Sequence, residues 1–274
     1  MVAAKLTTIR IEKLWGRHNL WPGFADPAPG GAAVGEIWFE APKGVEAELL
    51  VKYLFTSERL SIQVHPDDEV ARAAGQPCGK DEAWLILTAE PGAVIALGTK
   101  TPMSTDDLRA ACLDGSIVDK LHWQPVAAGD FIYSPARTIH AIGAGVTTIE
   151  VQQALDLTYR LYDYGRPREL HLDEGLAVSD PVPFTPVHGG RTCDADRAIL
   201  TEGGKFVVER WTSGGSINLA GRTGWLIPVS GCGVVDGIDW TAGECLMLHG
   251  APNIRLSGDA DILLAYPGAE ALTD

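Results

Sequence analysis

The chain has 274 residues, 46% of them hydrophobic, enough to bury a sizeable core in one large domain or two small ones. Its 36 Asp and Glu against 22 Lys and Arg leave a net charge of −14, which argues against nucleic acid or an anionic membrane as a main partner, because both demand a basic surface. A small anionic substrate stays open, since two or three local cations and backbone N–H groups hold a phosphate whatever the global sign.

The N-terminal run MVAAKLTTIRIEKLW has no long apolar stretch behind a basic start, so no signal peptide is expected, and no 18-residue apolar run exists to span a membrane. Short runs rich in β-branched and aromatic residues then follow one another, bounded by turn residues: Glu48–Phe55, Leu60–Val64, Ala83–Leu87, Ala93–Leu97, Phe131–Tyr133 and Val146–Gln152. That pattern reads as β-strand. Two helices are expected among them. Asp67–Ala74 follows Pro66 and opens with acids suited to a helix N-terminus. Ser104–Cys112 opens with a Ser N-cap and an Asp at N3, and Gly115 ends or interrupts it. The Pro-rich stretch Asp180–Pro186 reads as a linker, and Lys205–Trp211, Trp225–Val229 and Ile262–Tyr266 as further strands. The five cysteines, Cys78, Cys112, Cys193, Cys232 and Cys245, are odd in number and form no CxxC pair, so they are expected as reduced packing residues of a cytoplasmic protein.

A faint repeat runs through the chain. GDFIYSPARTIHAIG (Gly129–Gly143) lies on GECLMLHGAPNIRLS (Gly243–Ser257), and EAWLILTAEPG (Glu82–Gly92) on TGWLIPVSGCG (Thr223–Gly233). The apolar core recurs but the polar residues do not, for Glu82 falls opposite Thr223 and His140 opposite Ile254. The expectation is a mainly β protein of two jelly-roll barrels with few helices, the first catalytic (residues 1–170) and the second degenerate (residues 171–274).

The polar residues of the first half carry the chemistry. If Leu60–Val64 is a strand, Gln63 and His65 share one face while Leu60, Ile62 and Val64 take the other, in the core. Glu82 opens a strand that is otherwise apolar, where an acid is costly unless exposed, paired or metal-bound. His140 ends a hairpin bounded by Pro and Gly. Taken singly, each is more often a surface or core residue than a ligand. Together they form a mixed N/O donor set suited to Zn²⁺ or a similar divalent ion.

The strings QVHPDD, GKDEAW, PARTIHAIGAG and DLTYRLYDY, with GEIWFE upstream, resemble the type I mannose-6-phosphate isomerases in their short bacterial form, in the same order and over about residues 10–170. The resemblance implies cupin barrels, one divalent metal held by Gln63, His65, Glu82 and His140, and a catalytic Arg160. It places Glu150 and Asp156 in the active site and Ser61 and Lys80 along the sugar-phosphate pocket. The implied reaction interconverts mannose 6-phosphate and fructose 6-phosphate by moving a proton between C1 and C2 through a cis-enediol, with Glu150, Lys80 or Asp156 as proton carrier. The chain departs from the pattern at Arg137, where Gly usually precedes T-I-H, at Asp81, where Thr is common, and at Leu155, where Ser is usual. For Arg160 the structural alternative is an ion pair with Asp156 or Asp163. For the whole chain the alternatives are a non-catalytic cupin that binds or senses a sugar phosphate, and an iron-dependent dioxygenase, which usually shows an H-x-H pair.

Overall fold

The structure is a computed structural model that describes residues 3–21, 23–186 and 188–272. It is mainly β, with three sheets and four short helices among the described residues. A six-stranded sheet runs in the order Thr7–Arg17, Val34–Glu40, Leu49–Phe55, Val146–Gln153, Glu82–Ala89, Phe131–Ser134. A five-stranded sheet runs Tyr159–Tyr162, Ile62–Val64, His140–Ile142, Val94–Thr99, Leu121–Pro125. Every ladder in these two sheets is antiparallel. The third sheet has nine strands and gathers the C-terminal strands from Arg191 onward, with Ala3–Lys5 added at its edge against Leu246–Leu248.

Four apolar clusters show how these layers stack. Trp15, Leu54, Trp84, Ile86 and Val146 meet Leu60, Ile95, Leu97 and Ile142 between the six- and five-stranded sheets. The outer face of the five-stranded sheet (Ile62, Val64, Ala141, Leu161) is covered by helices Thr105–Asp114, Ile117–Lys120 and Leu172–Val178. The outer face of the six-stranded sheet (Val51, Tyr53, Leu85, Ile149) packs on Phe206, Trp225, Ile227 and Leu263 of the nine-stranded sheet. The nine-stranded sheet closes over its own core of Trp211, Leu226, Trp240, Ile262 and Leu264. Strand periodicity dictates this sorting: in Glu82–Ala89, Trp84 and Ile86 face inward while Ala83 and Leu85 face the neighbouring sheet.

Both expected helices form. Asp67 caps Asp68–Ala73 by accepting the Val70 N–H at 3.0 Å, and Ser104 caps Thr105–Asp114 by accepting the Asp107 N–H at 3.1 Å. Gly115 ends the latter with φ 82°, a left-handed turn that suits glycine.

Two readings need correction. The strand expected over Leu60–Val64 covers only Ile62–Val64. Leu60 donates its N–H to the Ile142 carbonyl outside the ladder, so the alternation does not extend back to it; it joins the cluster between the sheets rather than the helix-covered face of Ile62 and Val64. The repeat also slips by one residue. Glu82–Ala89 pairs with Phe131–Ser134 as Gly224–Val235 pairs with Leu246–Leu248, so the same antiparallel strand pairing recurs. Glu82 opposes Ser134 in one, however, and Gly224 opposes Leu248 in the other. A one-residue slip reverses every side chain, so Trp84 points between the sheets of its own barrel while Trp225 points into the shared core.

Candidate active site

Strand register assembles the site. On the five-stranded sheet, Gln63 lies between Arg160 and His140, with Leu97 beyond. On the facing six-stranded sheet, Glu82 lies between Gln152 and Ser134. The adjacent row of that sheet carries Trp38, Lys52, Glu150 and Trp84. His65 follows directly on the strand Ile62–Val64.

His65, Glu82 and His140 are all buried, and one ligand atom from each lies within 4.8 Å of the others. The His65 Nδ1 is 2.9 Å from the Leu157 carbonyl and the His140 Nδ1 is 2.9 Å from the Thr138 carbonyl. A carbonyl only accepts, so each Nδ1 carries the proton and each Nε2 turns a lone pair inward. Those lone pairs face the Glu82 carboxylate, at 3.2 Å for His65 and 3.4 Å for His140. Acceptors facing acceptors repel unless a cation stands among them. The Lys80 ammonium serves one side, contacting both the His65 Nε2 and the Glu82 Oε1. On the other side, the Glu82 Oε2 is buried without a hydrogen-bond partner. Burial opposes the charge on Glu82, but the Lys80 ammonium beside it holds its carboxyl well below the usual carboxylate range. Burial, with Lys80 close by, pushes the His65 imidazole down to about 3, so it stays neutral. Two imidazoles and a carboxylate with an orphaned oxygen fit a divalent cation. The Gln63 amide adjoins them, with its Nε2 set 3.2 Å from the His140 Nε2 and its Oε1 3.4 Å from the Ser61 hydroxyl. Half a turn of this amide would offer its oxygen as a fourth donor.

One pocket opens onto this cluster and is lined by Ser61, Gln63, Lys80, Glu82, Glu150, Asp156 and Arg160. Of the nine residues singled out from sequence, only His65 and His140 are not on its lining; both lie in the buried cluster just described. Arg160 makes no ion pair with Asp156 or Asp163. Asp163 instead holds Arg168 through both oxygens, at 2.6 and 2.7 Å, and Arg166 at 2.8 Å. The Arg160 guanidinium donates one Nη1 bond to the Glu169 carbonyl at 2.7 Å, and its buried Nε has no partner. Burial and the nearby Arg168 lower the pKa of Arg160, yet a guanidinium stays charged at any working pH.

The pocket also contains charges that the sequence did not single out. Lys52 ion-pairs with Glu150 at 3.0 Å and lies 3.9 Å from Glu36, which in turn pairs with Lys13 at 3.1 Å and accepts the Trp38 indole N–H at 2.5 Å. Glu150 accepts the Trp84 indole N–H at 2.9 Å. Burial disfavours the Lys52 ammonium, but Glu150 and Glu36 outweigh it and raise its pKa. A signal was present in ELLVKYLF, where Lys52 interrupts an apolar run. It reads equally as a solvent-facing strand position until the register sets it between Trp38 and Glu150.

Fold and site together define a cupin-type protein with a buried His/Glu/His cluster that could hold a divalent cation and a charged pocket beside it. No family model matches the chain. The chain is 32% identical over 260 residues to the mannose-6-phosphate isomerase ManA of Bacillus subtilis (strain 168), covering 86% of this chain and 82% of that one. It is 35% identical over 188 residues to the mannose-6-phosphate isomerase of Streptococcus mutans, covering 65% of this chain and 59% of that one. The crystal structure of mannose 6-phosphate isomerase from Bacillus subtilis superposes with a TM-score of 0.82 at 25% identity, covering 97% of this chain and 99% of that one. The chain belongs to the mannose-6-phosphate isomerase family.

Proposed function

We propose that this chain is a metal-dependent aldose–ketose isomerase that interconverts mannose 6-phosphate and fructose 6-phosphate in the cytoplasm, with Zn²⁺ held by Gln63, His65, Glu82 and His140. The observation that carries the reading is the buried cluster of His65, Glu82 and His140 next to a pocket lined by Gln63, Glu82 and Arg160. Family membership supports the substrate pair.

Moving a proton between C1 and C2 builds negative charge on the substrate oxygens at the enediol stage. A bound divalent ion supplies Lewis acidity that stabilises such charge. The remaining work falls to side chains. Arg160 presents a permanent cation to the same oxygens, and its unpartnered Nε is ready to donate. Ser61 and Lys80 line the pocket within reach of a hydroxyl or a phosphate oxygen. Among the three carriers implied for the proton, Glu150 is engaged by Lys52 and Trp84, and Lys80 by His65 and Glu82. Asp156 is exposed on the pocket lining. Net proton transfer through any of them would wash substrate hydrogen into solvent.

The test is a coupled assay with mannose 6-phosphate, run as purified, after chelation, and after Zn²⁺ is restored. The expected result is turnover that chelation abolishes and zinc restores. A protein that holds stoichiometric metal yet never turns over mannose 6-phosphate would sink the proposal.

A further inference from the structure

We infer that Asp81 and Tyr133 form a positioning strut through which the C-terminal nine-stranded sheet holds the two ligand-bearing segments of the metal site in register. The inference rests on the metal-site reading above and extends it to residues outside the pocket. Asp81 sits between Lys80 and Glu82, is buried, and stands where the family resemblance leads one to expect Thr. Its side chain turns away from the pocket. One carboxylate oxygen accepts the Tyr133 hydroxyl at 2.5 Å, and the other accepts the Ala136 N–H at 3.0 Å. Ala136 lies on the loop that leads to His140. Asp81 thus clamps the segment carrying Glu82 to the segment carrying His140.

Its backbone is fixed as well. The Asp81 N–H donates to the Gln153 side-chain oxygen at 3.0 Å, and the Asp81 carbonyl accepts the Gln153 N–H at 3.1 Å. The Gln153 amide passes on to Asp68 at 3.0 Å, which also accepts the Gly79 N–H at 2.7 Å, so the turn before Lys80 is tied down too. A threonine hydroxyl is too short and too poor in acceptors to hold both Tyr133 and Ala136 as the carboxylate does.

The strut continues into the nine-stranded sheet. The Tyr133 hydroxyl accepts the Lys205 backbone N–H at 3.0 Å, just before the strand Phe206–Trp211. The Tyr133 ring packs on Phe206 at 5.3 Å and on His188 at 4.8 Å. Gly204 lies against the hydroxyl so closely that a β-carbon there would overlap it. Two hydrogen bonds therefore link Lys205 to a carboxylate one residue away from Glu82. Outer partners of this kind orient metal ligands, and their loss typically weakens metal affinity by about 10- to 100-fold.

The test measures release of Zn²⁺ to a chromogenic chelator from full-length protein, alongside melting temperature, kcat and KM. Tyr133→Phe and Asp81→Asn are expected to weaken zinc retention about tenfold and to lower kcat more than they change KM. Gly204→Ala is expected to do the same from across the interface, because its β-carbon would press on both the hydroxyl and the ring of Tyr133. Ile262→Val, a cavity variant in the separate core of the nine-stranded sheet, is expected to lower the melting temperature and leave zinc retention alone. Wild-type zinc retention in Tyr133→Phe and Asp81→Asn overturns the strut. Should Tyr133→Phe fail to fold, Asp81→Asn and Gly204→Ala carry the same comparison. A wild-type protein that takes up no zinc removes the metal-site reading itself, whereas wild-type binding with unaffected variants removes the strut alone.

Discussion

His140 has its Nδ1 committed to the Thr138 carbonyl and its Nε2 facing Glu82 and the Gln63 amide, so Nε2 is the ring atom left to meet a cation. His140→Ala removes one of the two imidazole donors and leaves Gln63, His65 and Glu82, a set with a single nitrogen ligand and a weakly donating amide that holds the ion poorly. The expected outcome is loss of bound metal by elemental analysis and loss of isomerase activity, with an unchanged circular-dichroism spectrum. Full activity in the presence of metal would strike His140 from the site. Arg160→Lys preserves charge but loses the planar fork and the buried Nε donor. A fall in kcat of about 100-fold or more, equivalent to about 3 kcal/mol, is expected while metal content stays at the wild-type level. Unchanged turnover would make Arg160 a structural residue. The two variants separate roles that share one strand row: His140 should fail in metal content, Arg160 in turnover alone. At this scale the sequence was legible where several polar residues fit one ligand set. Glu82 opening an apolar strand and His140 in a Pro- and Gly-bounded segment are weak signals singly, and gain weight only as members of one set. Lys52, Glu36 and Arg168 give no such signal, because a charged residue in a half-buried strand or a loop looks solvated until its neighbours are known. Arg137 is a smaller case. Its φ of 72° explains why glycine is usual at that position, and its pairing with Asp180 at 3.0 Å helps hold the left-handed backbone.

Elements meet at Asp68, the first residue of helix Asp68–Ala73. It accepts from the Gly79 N–H, the Gln153 amide and, across to the other sheet, the Lys205 ammonium at 3.0 Å. Burial alone would raise its carboxyl, but these donors prevail and bring it down to about 2. A carboxyl depressed in the folded state contributes stability that is present above its unfolded pKa of about 3.9 and is lost as pH falls toward the folded value. Asp68→Asn is therefore expected to cost about 1–2 kcal/mol at pH 7, a figure already reduced for partial exposure. The gap between variant and wild type should close between about pH 4 and pH 2. Urea titrations at pH 7, 4 and 3 measure it, and a gap that widens on acidification would reverse the sign of the argument. The helices themselves were readable from Asp67, Ser104 and Gly115, since caps are local chemistry. The extent of the strand before His65 was not. Leu60 keeps the alternating pattern in the sequence, yet its N–H goes to the Ile142 carbonyl outside the ladder, and only the fold decides between those partners. The slipped repeat has the same cause: Trp-Leu-Ile matches as a string, whereas which face each tryptophan takes depends on the register of the partner strand.

In the whole molecule, the outer face of the six-stranded sheet and the nine-stranded sheet share one apolar core, and Ala3–Lys5 crosses to the nine-stranded sheet. Helix Leu172–Val178 crosses the other way and packs on the five-stranded sheet. Neither crossing follows from local sequence pattern, because a three-residue strand and a seven-residue helix carry too little periodicity to reveal their partners. Sheets tied by a common core and exchanged segments should unfold together. Leu263 is fully buried in that core on the nine-stranded side. Leu263→Ala removes it at an expected cost of about 2–5 kcal/mol. The loss should appear as one earlier transition, with far-ultraviolet circular dichroism and tryptophan fluorescence coinciding, since Trp84 beside His140 and Trp225 in the shared core report from either side of the six-stranded sheet. Two separated transitions, with retention of zinc persisting through the first, would show that the site-bearing sheets stand without the other.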